Sequence, residues 1–202
     1  EAGDESGAAR LVRVDRPSGI TRHYEGDAGV ERRVRVEWPD GERLFLEGDP
    51  GEERTVRAEW PSGEVQHYDG PRGCERIVRS LDASGRVSFY KGARGEEYAF
   101  REETNDGRKI KLAGLRGQER VVRVDFASGW RSSYRGAAGA ERLVRSVTPS
   151  GCRMFYRGAR GQEVRALADL WGDCGSDGAD ACAGTLPGGE PARGRRSCRA
   201  AG

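Results

Sequence analysis

Residues 31–52 read ERRVRVEWPDGERLFLEGDPGE, and residues 53–74 read ERTVRAEWPSGEVQHYDGPRGC. The two stretches share an opening Glu-Arg, a Trp-Pro-x-Gly segment and two later glycines at matching positions. The 22-residue period continues without insertion, and its seven units start at Ala9, Glu31, Glu53, Glu75, Glu97, Glu119 and Glu141. Because short repeats stack on their neighbours, the sequence predicts one repeat domain over residues 9–162, preceded by a flexible segment at residues 1–8.

Each unit carries three glycines at fixed positions, such as Gly41, Gly48 and Gly51 in the second unit, and these columns hold 21 of the 31 glycines. A glycine kept in register indicates backbone that needs a positive φ or a close approach. Each unit therefore reads as an R-x-V-R-x strand, a Pro-x-Gly turn, a second strand ending in an aromatic residue, and a Gly-x-x-Gly turn. The predicted fold is all-β, an elongated array of seven antiparallel β-hairpins forming a twisted sheet.

Two apolar ladders follow from the alternation of side chains along a strand. The first ladder shares one face and contains Val12, Val34, Val56, Val78, Phe100, Val122 and Val144. The second is an aromatic ladder of Tyr24, Tyr68, Tyr90, Tyr134 and Tyr156, with Leu46 and Leu112 as substitutes. The fifth unit departs most from the consensus and is expected to mark a bend or a contact point, through Tyr98, Phe100, Asn105 and Leu112.

The punctuation of the units resembles that of MORN repeats, as in Tyr24-Glu25-Gly26 followed by Gly29 and Pro39-Asp40-Gly41. The resemblance covers about residues 9–162, and it implies hairpin units that stack into an elongated sheet. The usual MORN tryptophan after Y-x-G and the G-x-G pair are missing. YD/RHS repeats are similar too, with Tyr, Gly and P-D-G turns, although Y-x-G here replaces their Y-D signature. We prefer the MORN resemblance and keep the YD/RHS type as second choice.

Composition excludes some classes of protein. The chain is 35% hydrophobic and 34% charged with a mean hydropathy of −0.79, and no apolar run approaches the roughly 20 residues of a membrane span. Thus no transmembrane segment is expected. Five cysteines without paired spacing argue against a disulfide framework and favour a reducing compartment, so we predict a cytoplasmic location, with a membrane-peripheral one as the alternative. The start at Glu1 suggests a piece of a longer protein.

Residues 163–202 lose the period and become a low-complexity tail of Gly, Ala, Arg and Cys. A short capping helix is predicted at residues 166–171, and the remainder is expected to be disordered. A wrong reading frame or splice in the gene would produce the same composition, so both explanations stay open.

Catalytic and cofactor-binding patterns are lacking. His23 and His67 occupy one repeat column that holds Phe45, Phe89 and Phe155 in other units, which favours filling of a strand face over catalysis. The tail cysteines, Cys174, Cys182 and Cys198, lack the close pairing of a zinc site. No glycine turn is followed by Lys-Ser/Thr, which argues against a P-loop. We predict no enzyme activity, no cofactor and no metal.

One arginine column is complete, and it consists of Arg13, Arg35, Arg57, Arg79, Arg101, Arg123 and Arg145. A second column nearly matches it, with Arg10, Arg32, Arg54, Arg76, Arg120 and Arg142. Arginines can pair structurally with the Glu column of the repeat and cover aromatic rings with their stems. They can also form an anion-binding stripe. Residues 9–162 carry 30 Lys and Arg against 24 Asp and Glu, which is only modestly basic and does not favour nucleic acid.

These observations predict a non-catalytic scaffold that mediates protein–protein interaction through an extended surface. The alternative is a peripheral module that binds anionic membranes, including phosphoinositides, through the complete arginine column. That role is sometimes proposed for MORN proteins. A third hypothesis, the regulatory repeat of an enzyme, places any activity outside this stretch of chain.

Overall fold

A computed structural model of the protein describes residues 9–165, and within this range it is all-β without a helix. The first strands are β1 (Arg13–Asp15), β2 (Thr21–Glu25), β3 (Arg32–Glu37), β4 (Arg43–Glu47), β5 (Arg54–Glu59), β6 (Val65–Asp69), β7 (Arg76–Leu81) and β8 (Val87–Lys91). They are followed by β9 (Tyr98–Glu103), β10 (Lys109–Ala113), β11 (Arg120–Asp125), β12 (Arg131–Arg135), β13 (Arg142–Val147), β14 (Arg153–Arg157) and β15 (Val164–Arg165).

All fifteen strands form one open antiparallel sheet whose spatial order is the order of the chain. Each repeat unit contributes one hairpin, from β1–β2 to β13–β14, and the predicted all-β array of hairpin repeats is confirmed. The sheet also continues past residue 162, because the short strand β15 pairs with β14 through Tyr156–Arg165 and Arg157–Val164. The predicted capping helix at 166–171 and the rest of the tail lie outside the described residues.

The glycine columns do need positive φ, which confirms the prediction from their register: all 21 of these glycines have φ between +74° and +132°. At the turn inside a hairpin, the Gly41 N–H donates to the Trp38 carbonyl over 2.9 Å. At the turn between hairpins, a Cβ on Gly48 would lie only 2.8 Å from the Glu52 carbonyl oxygen. The turns thus depend on the missing side chain as well as on the glycine backbone.

Two substitutions in the same turn separate these requirements. Gly51 has φ +82° and open space around its Cβ position, so Gly51→Ala is expected to cost only the left-handed strain, about 1–2 kcal/mol. Gly48→Ala adds the backbone clash at φ +123° and should cost roughly 3 kcal/mol. Urea unfolding of both variants measures the difference in unfolding free energy. Equal losses of unfolding free energy would show that the close approach of Gly48 to the Glu52 carbonyl oxygen is unimportant.

The register within each hairpin is regular, but it shifts where one hairpin meets the next. Phe45 pairs with Arg57, whereas the next residue, Leu46, pairs with Thr55, so Val56 is the extra residue of a β-bulge. The same shift occurs at all six junctions between hairpins. The fifth unit keeps this register, with Arg101 opposite Lys111 as Arg35 is opposite Phe45, so no change of pairing marks a bend there.

The core is one face of this single sheet, which we call the apolar face. Its least accessible members include Ala58 and Ser146, both 0% exposed, together with Val36, Leu46, Val124 and Met154. Ser132 and Ser146 are cross-strand partners whose hydroxyls lie 3.4 Å apart, so these buried polar groups satisfy each other. The alternation from these residues places both the valine ladder and the tyrosine ladder on the same face.

The tyrosine hydroxyls make polar contacts on the apolar face, either within their own strand or with the neighbouring strand. The Tyr68 hydroxyl donates to Gln66 Oε1 over 2.6 Å, and the Tyr90 hydroxyl lies 3.1 Å from Ser80 Oγ. Burial raises the pKa of Tyr134, which is therefore neutral in its half-buried position. The tyrosine ladder is thus part of the core and faces away from the complete arginine column.

Candidate anion-binding face

The complete arginine column lies on the opposite side of the sheet, which we call the arginine face. On this face the column alternates across the strands with a second set of residues. Arg57, for example, pairs with Phe45 on one side and with His67 on the other. The residues that separate successive arginines are His23, Phe45, His67, Phe89, Lys111 and Ser133, and Phe155 ends the row beside Arg145. The face is therefore a continuous row that runs across the sheet from β1 to β14.

Five of the seven arginines pair with an acid two residues further along the same strand. Arg35 Nε lies 3.0 Å from Glu37 Oε1, and Arg123 Nε donates to both oxygens of Asp125 over 2.9 Å. The other three pairs are Arg13–Asp15, Arg57–Glu59 and Arg101–Glu103. The expected structural partner was the Glu column of the Glu-Arg pairs, and the observed one differs because residues i and i+2 share a face.

Arg79 and Arg145 have no such acid, because Leu81 and Val147 occupy the position two residues on. Within residues 9–165 neither arginine forms an ion pair. Arg79 stands between His67 and Phe89 in the cross-strand register. The Arg145 guanidinium lies 5.8 Å from the centre of the Phe155 ring, within the range of a cation–π contact. These two positions keep their positive charge uncompensated by a neighbouring carboxylate.

Aromatic rings order the guanidinium groups elsewhere on the face. Arg57 lies 5.3 Å from the Phe45 ring centre, and Arg101 lies 5.1 Å from that of Phe89. The guanidinium groups of Arg57 and Arg101 thus lie over these rings. Side chains held on both sides by a ring and a carboxylate lose little further conformational entropy on binding, which is a property of good interface residues.

The two histidines belong to this row. Arg35 Nη2 lies 3.2 Å and 3.4 Å from the two ring nitrogens of His23. Burial lowers the pKa of His67, and the flanking guanidinium groups of Arg79 and Arg57 lower it further. His67 is therefore neutral at neutral pH, because a third positive charge between two arginines is unfavourable. Within the described part of the chain, no three His, Cys, Asp or Glu residues are grouped to hold a metal ion.

The opening Glu-Arg pair of each unit has a role that the sequence analysis missed. The glutamate reaches back to the unit before it, where Glu53 Oε1 accepts the backbone N–H of Arg33 over 3.0 Å. The same bond, between residues 20 positions apart, recurs as Leu11–Glu31, Thr55–Glu75, Val121–Glu141 and Leu143–Glu163. We call these five bonds the glutamate clamp.

The clamp shifts the glutamate ionisation. The backbone N–H of Leu11 is the main group that lowers the pKa of Glu31. The pKa of Glu53 is lowered despite the opposing effect of burial, because the N–H groups of Arg33 and of the turn stabilise the carboxylate. Glu31 and Glu53 are therefore anionic at neutral pH, and each connects its unit to the one before it.

The arginine of the same pair donates to a glycine carbonyl in the turn that closes its own unit. Arg54 Nη1 donates to the Gly70 carbonyl over 3.1 Å, and Arg32 donates to that of Gly48 over 3.3 Å. Arginines in the Gly-x-x-Gly turns also reach the turn one repeat earlier, as Arg72 does with the Gly51 carbonyl. Arg32 and Arg54 of the second arginine column are thus used to hold the closing turn of their own units, which leaves the complete column as the candidate binding surface. The recurrence of Glu-Arg in five of the seven units was the available signal, but it does not reveal the partner.

A scan of the chain against protein-family models found no match, and a search of curated proteins found no similar sequence. Residues 9–165 contain no helix that is both long and apolar enough to cross a membrane.

Proposed function

We propose that the hairpin array is a non-catalytic scaffold whose arginine face binds a protein partner. The observation that carries this proposal is the continuous row of seven arginines, interleaved mostly with phenylalanine and histidine, in which five arginines are paired with carboxylates and three lie over aromatic rings. Arginine and aromatic residues are enriched at protein interfaces, where they supply most of the binding energy. An acidic partner surface suits a face whose net charge is positive.

The repeat class and location are part of the same proposal. We keep the MORN-like class, because Tyr24-Glu25-Gly26 ends the second strand of a hairpin and opens the Gly-x-x-Gly turn. We place the protein in the cytoplasm, because Cys74 is an exposed thiol, which a reducing compartment preserves.

The test compares two variants with equal loss of charge. In the face variant Arg35, Arg57, Arg79 and Arg123 become Gln; in the edge variant Arg72, Arg94, Arg116 and Arg160, which lie in the turns, become Gln. Affinity capture with quantitative mass spectrometry should retain specific partners on the wild type and the edge variant. The face variant should lose them at least about tenfold, since removing a charged contact costs about 1.5–3 kcal/mol. Equal capture by all three proteins would contradict the proposal.

Binding to anionic membranes is the second candidate, favoured by Arg79 and Arg145, which lack an acidic neighbour. Basic side chains near an anionic surface contribute about 1 kcal/mol each, and less as salt increases. Co-sedimentation of the chain with phosphatidylserine and with neutral vesicles, at low and physiological salt, tests it. Salt-sensitive binding to anionic vesicles alone, lost in the face variant and kept in the edge variant, would support this candidate over the first.

A further inference from the structure

The fifth unit places three cations side by side on the arginine face. Lys111 occupies the position that holds histidine, phenylalanine or serine in the other units. In the register of the sheet it pairs with Arg101 on one side and with Arg123 on the other. Like charges on directly opposite positions destabilise a sheet, whereas a ring or a hydroxyl there does not. The row Arg101–Lys111–Arg123 is therefore a local concentration of positive charge.

The nearby carboxylates are already bound by guanidinium groups. Glu103 pairs with Arg101, and Asp125 accepts hydrogen bonds of 2.9 Å from both Arg123 and Arg131. Lys109 lies opposite these two acids in the register, but neither Lys109 nor Lys111 forms an ion pair within residues 9–165. The lysine ammonium groups are the groups still available to a ligand. Five cations face two carboxylates, which leaves a local net charge of +3.

A groove of ≈ 270 Å³ lies over this row, and among its lining residues are Arg101, Lys109, Lys111, Arg123 and Asp125. This volume is just below the roughly 300–1,000 Å³ of sites for drug-sized ligands, so the groove suits a smaller molecule. Phe100 and Ile110 also line the groove, and together with the aliphatic stems of the cationic side chains they give its walls an apolar character. Both lysines are exposed, and their charges are accessible from solvent.

We propose that this groove binds the phosphate dianion of a phosphate monoester through Lys109 and Lys111, with Arg101 and Arg123 on either side. A phosphate monoester carries about −1.5 to −2 charges at neutral pH, which approaches the local excess of positive charge. The guanidinium forks that recognise carboxylates are occupied by Glu103 and Asp125. The remaining ammonium groups act as point charges, which suits a compact dianion of high charge density. This site lies within the face of the protein-binding proposal but does not depend on that proposal, because it needs only the cations around Lys111.

The test measures binding of phenyl phosphate to the full chain at physiological salt by isothermal titration calorimetry, with phenyl sulfate as the matched monoanion. We expect phenyl phosphate to bind at least about tenfold more tightly than phenyl sulfate, since the second charge meets a second cation. Lys111→Phe places in the fifth unit the residue found at Phe45, Phe89 and Phe155, so the fold should tolerate it. It should weaken phenyl phosphate binding about tenfold.

Two further variants keep the outcome unambiguous. Lys109→Val copies Val65 and Val87 at the same position of other units and should also weaken binding, which covers the case in which Lys111→Phe misfolds. Arg153→Gln removes one exposed charge at the equivalent position of the seventh unit and should change affinity less than about twofold. The proposal is overturned by no binding, by equal affinity for the two esters, or by equal loss in Lys109→Val and Arg153→Gln.

A second experiment, with vesicles, distinguishes a soluble phosphate ester from a lipid headgroup. Phosphatidylcholine vesicles with and without phosphatidic acid present the same phosphate monoester on a lipid. Lys111-dependent binding of phenyl phosphate without vesicle binding supports a soluble ester as the ligand. Lys111-dependent binding to phosphatidic acid vesicles as well supports a lipid headgroup.

Discussion

Val124→Asp is expected to lower the free energy of unfolding by about 3–5 kcal/mol, because it buries a charge without a partner. Val124 is 9% exposed and lies on the apolar face between Ile110 and Ser132, neither of which can neutralise a carboxylate. Within residues 9–165 the array is a single sheet, without a second layer that could rearrange to cover the charge. Urea unfolding followed by circular dichroism measures the loss.

The matched control is Val30→Asp, since Val30 is 57% exposed in a turn and should tolerate a charge with a change below about 0.5 kcal/mol. Hydrogen exchange should show faster opening in β11 and β12 than in β3 and β4, because each strand depends mainly on its nearest neighbours. Uniformly faster exchange along the whole array would instead show that the seven units unfold as one body.

Unfolding at acidic pH is the second large expected effect, and protonation of the glutamate clamp is expected to cause much of it. Three glutamates of the clamp, Glu31, Glu53 and Glu141, have a lower pKa in the folded state than in the unfolded chain. Their contribution to stability is complete above the unfolded-state pKa of about 4.3. It is lost as the pH falls from that value through the lower folded-state pKa. Stability should therefore fall steeply below about pH 5.

The double variant Glu53→Gln/Glu141→Gln removes these two titrations and should flatten the fall in unfolding free energy between about pH 5 and pH 3. Its control is Glu52→Gln/Glu96→Gln, which changes two exposed turn glutamates outside the clamp and removes the same charge. Urea titrations at a series of pH values provide the comparison. If the control flattens the profile as much as the clamp variant, general charge repulsion and not the clamp governs acid unfolding.

The repeat explains why the fold could be predicted from the sequence. Glycines such as Gly41 and Gly48 require positive φ in local turns, and a turn of given geometry commits the two flanking strands to a hairpin. The same reasoning found the arginine column and the column of His67 and Phe45. It did not find the β-bulge at Val56, because an extra residue between two hairpins leaves no mark on a strict period.

The partners of the arginines were harder to predict from the sequence. Arg35 pairs with Glu37, which lies on the same face because side chains alternate along the strand. In the Glu-Arg pairs, Glu53 instead binds a backbone N–H of the preceding unit, and Arg54 binds a backbone carbonyl of its own unit. Sequence reasoning also separated the valine and tyrosine ladders, which the register places on one face. The significance of Lys111 emerged only once its cross-strand neighbours were known.

The sequence by itself determined the period, the hairpins, their turns and the all-β class, because these depend on contacts between residues close together in the chain. The tertiary structure decided which side of the sheet is buried, which acid each arginine binds, and how Glu53 reaches Arg33 20 residues away. The physical reason is that these contacts depend on the register between strands, bulges included. A shift of one residue moves every side chain of a strand to the opposite face.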